Sequence, residues 1–225
     1  MLRFDRPRTR SWQVFGSWGG FMVSLKQFSV VMENPQLYQL WQAPFRAAKF
    51  APIRKHNDMS RVRRVLDVGC GPGTNAPIFG DKEYVGLDFN HQYIQLAQRR
   101  YRGTFITADA REYAAPPDAK YDFILMNSLL HHIATEHVQR ILAQLSRQLT
   151  PDGHIHILDL VLPEQASISR YLALSDRGEY PRPWAEWEQL FTSDFETVVC
   201  EPYSVGWCGV PFWNMIYFKG RSRHC

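Results

Sequence analysis

Three aspartates, Asp67, Asp88 and Asp109, each close a short apolar run, and the first leads at once into glycines at 69, 71 and 73. A carboxylate accepts hydrogen bonds and donates none, so it suits a vicinal diol or an ammonium group. Glycines at alternate positions let the backbone turn sharply with no Cβ over the N–H groups, so a ligand can lie against the main chain. The stretch Asp67-Val68-Gly69-Cys70-Gly71-Pro72-Gly73 therefore reads as a binding loop, against the plainer reading of a strand-to-helix turn with no ligand.

The spacing selects among ligands. A dinucleotide fingerprint needs G-x-G-x-x-G, and Thr74 stands where its third glycine would be. No Gly-Lys-Ser/Thr follows to make a phosphate P-loop. Asp67, two residues before the first glycine, would repel a pyrophosphate but attracts a ligand carrying an ammonium group. With these residues the chain resembles the class I S-adenosylmethionine-dependent methyltransferases, whose first motif is commonly Asp/Glu-x-Gly-x-Gly-x-Gly. The resemblance implies S-adenosylmethionine as cofactor, with Asp67, Gly69, Cys70, Gly71 and Gly73 in its site; no metal is expected, since no third ligand is placed in the sequence to join His154 and His156.

Asp88 follows Gly69 by nineteen residues, the place of the acid that accepts both ribose hydroxyls in nucleotide-type α/β folds. The competing reading makes it the N-cap of the next helix. Phe89 and Asn90 would edge an adenine pocket. By the resemblance, Asp109 accepts from the adenine amino group and Ala110 supplies a backbone N–H, again against a simple N-cap. Asn127 and Ser128 would approach the methionine portion of the cofactor, with His131 or His132 bordering the acceptor. A histidine titrates near neutrality and can take a proton from a hydroxyl or amine, or it can serve only to hold the loop. Asp159, ending the fifth strand, is a further candidate to orient the acceptor.

Certain elements must position these groups. The segments 65–68, 84–88, 104–110, 121–127 and 154–160 read as strands buried on both faces of a parallel sheet. Helices are expected at 75–79, after Asp88 through Ile94, Leu96 and Ala97 to about Tyr101, and at 136–149, with a turn at Pro151-Asp152-Gly153. His154 and His156 share a face at period two and read as outer-face residues. Ahead of the first strand, 35–54 reads as helix with a break at Pro44; in the resembled family this region forms a lid, and Tyr38 and Phe45 are its aromatic candidates. After the fifth strand, 163–182 and 183–190 read as helices that the resemblance makes the acceptor pocket, with Arg170, Tyr171, Asp176 and Arg177 as substrate-facing candidates. Strands at 195–201 and 210–218 close the sheet as an antiparallel edge hairpin beside the aromatic stretch 207–213. The fold class is thus α/β: a doubly wound, mostly parallel seven-stranded sheet between two helical layers.

The length of 225 residues suits one domain over 32–225. Of the net charge of +4, Arg3, Arg6, Arg8, Arg10 and Lys26 against Asp5 account for all, leaving equal numbers of acidic and basic side chains beyond residue 31. That balance disfavours a nucleic-acid-binding face on the folded body. Residues 1–31 are basic and then apolar, too polar and short to span a bilayer; they are expected to be dispensable, with Met32 or Met22 as a functional start. Cys70, Cys200, Cys208 and Cys225 show no C-x-x-C spacing, which fits reduced thiols and a cytoplasmic setting without membrane association. The expected activity is methyl transfer to an O, N or C atom of a small molecule, by a monomer or homodimer. A non-methylating cofactor binder or cyclase, a protein or RNA methyltransferase, and a nicotinamide oxidoreductase are the rivals.

Overall fold

The computed structural model describes residues 45–116, 119–176, 178–208 and 210–224. The extension 1–31, Tyr38 and the first half of the expected helix at 35–54 lie outside the described residues, as does Arg177.

The strands are β1 (Arg64–Val68), β2 (Glu83–Asp88), β3 (Thr104–Thr107), β4 (Tyr121–Asn127), β5 (Leu149–Leu160), β6 (Phe195–Trp207) and β7 (Val210–Ser222). They form one sheet in the order β3-β2-β1-β4-β5-β7-β6. β1 to β5 run parallel, and β7 returns antiparallel to both β5 and β6. The helices are α1 (Arg46–Lys49), α2 (Ala51–His56), α3 (Ala76–Phe79), α4 (His91–Arg100), α5 (Thr135–Ser146), α6 (Ile168–Ser175) and α7 (Trp184–Thr192).

Alternation along the central strands divides the core in two. Leu66, Val68, Ile124 and Met126 face one layer with Ile141 and Leu142 of α5 and Trp187 and Phe191 of α7. Val65, Phe123, Leu125 and Leu158 face the other with Ile53 of α2 and Ile94 and Ala97 of α4. Side chains of successive strand residues point to opposite faces, so a strand covered on both sides must be apolar throughout, as β1 and β4 nearly are. The order reverses between β1 and β4, which places the carboxyl ends of β1, β2 and β4 around one crevice.

Several sequence expectations are corrected. β3 stops at Thr107, and Asp109 and Ala110 stand in the turn beyond it. α5 ends at Ser146, and residues 149–153 join β5 instead of forming a separate turn. The pairing of β4 with β5 jumps from Tyr121↔Leu149 to Phe123↔His154, so the added residues bulge. Gly153 permits this, since a Cβ there would lie 2.7 Å from the Tyr121 carbonyl. The expected helix at 163–182 contracts to Ile168–Ser175, capped by Ser167, whose side chain accepts the Arg170 N–H. His156 is not an outer-face residue: it is buried, its ring stacked 3.8 Å from Phe123. A doubly wound sheet has no open face for it. The closing strands run longer than expected, and β7 lies inside the sheet, leaving β6 at the edge.

Candidate functional site

The loop after β1 is pinned to β2, because the N–H groups of Gly69 and Cys70 both donate to the Leu87 carbonyl, at 2.7 and 2.9 Å. Gly71 and Gly73 then adopt left-handed backbone, φ 54° and 79°, and their surroundings differ. A Cβ on Gly73 would lie 2.9 Å from Ala97 Cβ and from Tyr101, so this glycine lets α4 pack on the loop. A Cβ on Gly71 would meet nothing within 4 Å. The loop is therefore open at its middle glycine, where a ligand can approach the backbone. Cys70 contributes only main chain there: its thiol is buried toward Gly86, and burial pushes its pKa up.

Asp67 is wholly buried. Its Oδ2 accepts from the Tyr84 hydroxyl at 2.5 Å and from Asn75 Nδ2 at 3.1 Å, while Oδ1 is buried with no partner among the described residues. Burial, only partly offset by those two hydrogen bonds, raises the carboxyl pKa to about 6. Tyr84 and Asn75 were not singled out in the sequence, because contact across strands leaves no local spacing to read.

Asp88 reaches back to the same loop. Its Oδ2 accepts the Gly71 N–H and its Oδ1 the Asn90 N–H, both at 2.8 Å. The cap of α4 is Asn90, whose side chain accepts from Gln92 and Tyr93, so Asp88 is not the N-cap. Phe89, next to it, is 77% exposed. Asp109 is partly exposed and paired with Arg111, and it caps no helix. Ala108 N–H donates to the Asp88 carbonyl at 3.0 Å, so Asp88 and the Asp109–Ala110 turn are neighbours.

On the other side of β1, Asn127 and Ser128 end β4. Ser128 has φ 53°, unusual for a residue with a Cβ, and is held by its N–H donating to the Leu158 carbonyl at 2.7 Å. Its hydroxyl donates to Asn127 Oδ1 and receives Lys49 Nζ, each at 3.3 Å. The next turn is built around Asp159. This buried carboxylate accepts the N–H groups of Leu129, Leu130 and Leu160 and, at 2.6 Å, Nδ1 of His131. His131 Nε2 lies 3.4 Å from Asp176, and a Cβ on Gly178 would lie 2.2 Å from the His131 ring. Burial by itself would lower the His131 pKa, but the two carboxylates raise it to about 9. His132 is exposed, its ring 4.1 Å from that of His131.

Asp159 is thus spent on the turn. Arg170 donates to the Pro163 carbonyl and Tyr171 is exposed on α6. The residue passed over in the sequence is Arg182, almost wholly buried, which donates to the carbonyls of Leu130, Ile133 and Tyr180 and to Glu186. Among the described residues no three His, Cys, Asp or Glu side chains cluster as a metal site, and no helix is long and apolar enough to cross a membrane.

The geometry has counterparts in known proteins. Residues 65–153 match the family described as a methyltransferase domain. Trans-aconitate 2-methyltransferase of Rhizobium leguminosarum is 26% identical over 131 residues, 56% of this chain and 48% of that protein. The mRNA cap guanine-N(7) methyltransferase of Schizosaccharomyces pombe is 26% identical over 172 residues, 68% of this chain and 45% of that protein. The chain thus spans about half the length of these curated relatives. The N-methyltransferase NodS of Bradyrhizobium japonicum, solved with S-adenosyl-L-homocysteine, superposes with a TM-score of 0.66 at 14% identity, covering 88% of this chain and 97% of that one. The sheet order is that of the solved methyltransferase structure, and the glycine loop lies within the region that matches the methyltransferase-domain family, so the chain is similar in fold and in this region to class I S-adenosylmethionine-dependent methyltransferases.

Proposed function

We propose that this protein transfers a methyl group from S-adenosylmethionine to an O, N or C atom of a small-molecule acceptor. The observation that carries the cofactor assignment is the open face of Gly71 beside the Asp88 carboxylate, together with Asp67 at the end of β1, whose buried Oδ1 has no partner among the described residues. A diol beside Asp88 and an ammonium group beside Asp67 would satisfy acceptors that water or the fold must otherwise serve. Phe89 offers an exposed ring for a purine, and Asp109 and Ala110 would border its edge. Asn127 and Ser128 would border the amino-acid end; Tyr38, proposed from the resemblance as a lid residue, lies outside the described residues.

When bound, the cofactor supplies a methyl group already activated by its positively charged sulfur. The chain's own task is alignment and exclusion of water, a contribution that can reach about 7–11 kcal/mol. His131, held as an imidazolium between Asp159 and Asp176, carries no free lone pair for an acceptor proton at neutral pH. We assign it to positioning the β4 turn. His132, with an exposed ring, remains the candidate to take a proton.

The balance of charge beyond residue 31 supports a small acceptor over RNA. The test is incubation with methyl-labelled S-adenosylmethionine and three acceptor sets: small acids, phenols and amines; short capped RNA; and a protein mixture. Label in the small-molecule set supports the proposal. Label confined to RNA or protein overturns the acceptor class, and binding without label in any set favours a non-methylating role.

A further inference from the structure

Lys49 closes α1 with its side chain half-buried, and its ammonium lies between the turn that follows β4 and the amino end of β7. On β4 it donates to Ser128 Oγ at 3.3 Å; on β7 it stands 6.0 Å from the centre of the Trp213 ring. The charges that act on it are Asp159, at the end of β5, and Asp176, beyond α6. Yet among the described residues no carboxylate forms an ion pair with it.

Lys49 is held in that place. Its carbonyl accepts the Tyr203 hydroxyl at 3.2 Å, and Phe45, one residue before α1, packs edge-on to Trp213 at 5.3 Å and to Phe212 at 6.1 Å. An ammonium has three donors, and among the described residues one of them is used, on Ser128. Burying it without an anion is costly unless a partner arrives, and its pKa is lowered by that burial. β4 lies next to β1 in the sheet, so Ser128 stands between Lys49 and the loop assigned to the cofactor.

Resting on the methyltransferase reading above, we propose that Lys49 receives an anionic oxygen of the acceptor, a carboxylate or phenolate held at its ammonium beside Ser128. The acceptor class is then an organic acid or acidic phenol. Ser128, strained and shared between Lys49 and Asn127, links that anion subsite to the end of β4.

The test is calorimetry on the full chain, with S-adenosylhomocysteine, with 5′-methylthioadenosine, which lacks the carboxylate, and with sodium benzoate added to the S-adenosylhomocysteine complex. Wild type, K49M and K49R are compared, with thermal melting as the check on folding. Expected are S-adenosylhomocysteine affinities within about threefold across all three proteins, and benzoate binding weakened at least about tenfold in K49M but kept in K49R. Benzoate that fails to bind wild type, or binds K49M equally, overturns the proposal. So does a K49M that loses S-adenosylhomocysteine affinity but keeps that for 5′-methylthioadenosine, since the lysine then serves the cofactor's own carboxylate. Wild type that binds no S-adenosylhomocysteine refutes instead the underlying methyltransferase reading.

Discussion

The Asp88 carboxylate accepts the Gly71 N–H at 2.8 Å, so the acid that ends β2 holds the open middle of the loop that leaves β1. One side chain thereby shapes the backbone cradle and also presents remaining lone pairs to it. Replacing Asp88 should damage both functions. Asp88→Ala is expected to cost about 1–3 kcal/mol of stability through the unpaired N–H groups of Gly71 and Asn90, and to weaken S-adenosylhomocysteine at least about tenfold. Chemical denaturation and calorimetry read the two effects separately.

Two of the loop's left-handed glycines, Gly71 and Gly73, should separate binding from folding. Gly71→Ala meets open space and is expected to cost about 1–2 kcal/mol for its backbone conformation, while filling the cradle and weakening S-adenosylhomocysteine. Gly73→Ala adds a clash with Ala97 and Tyr101 to the same backbone cost, and should be the less stable variant by denaturant midpoint. Equal stabilities would contradict the packing assigned to Gly73.

The His131 pair predicts a pH dependence. Its folded pKa, about 9, lies above the ordinary value of 6.5, so its stabilisation is complete below pH 6.5 and is lost as pH rises through 9. The loss is on the order of 3 kcal/mol. Urea midpoints measured from pH 6 to 10 should fall over that window in wild type. In His131→Gln they should start lower and change less there, since a buried charge pair has lost one partner.

Asp67 gives an opposite test at the cofactor end. Its carboxyl has a pKa near 6 in the free protein, so a ligand ammonium should bind more weakly as pH falls below that value. Asp67→Asn should abolish this part of the pH profile and reduce affinity for S-adenosylhomocysteine. Affinity for 5′-methylthioadenosine, which lacks the ammonium, should change little in the same titrations.

Arg182 should be a stability residue. Truncation to Ala leaves the buried carbonyls of Leu130 and Ile133 without their donor and uncovers the Trp187 ring, 4.9 Å from the guanidinium. A loss of about 2–4 kcal/mol is expected, read as a lower melting temperature.

What was legible in the sequence was whatever is periodic or fixed in local spacing. The apolar runs of β1 and β4 and the glycines after Asp67 announced the sheet and its cradle. The roles of Tyr84, Asn75, Lys49 and Arg182 depend on contacts between residues distant in sequence, 79 positions for Lys49 and Ser128 and 154 for Lys49 and Tyr203, and no local pattern encodes those. His131 shows the limit best. A histidine at a strand end suggests a base, but the two carboxylates that keep it protonated come from β5 and from beyond α6. The bulge at 149–153 escaped for a related reason: Pro151-Asp152-Gly153 is turn chemistry, and only the mismatch with β4 shows that the strand continues through it.

The most direct measurement is calorimetric titration of the purified chain with S-adenosylhomocysteine and, separately, with NAD. The account predicts saturable one-site binding of S-adenosylhomocysteine, weakened by Asp88→Ala, and no heat from NAD. Binding of NAD in its place, or S-adenosylhomocysteine affinity indifferent to Asp88, would contradict it.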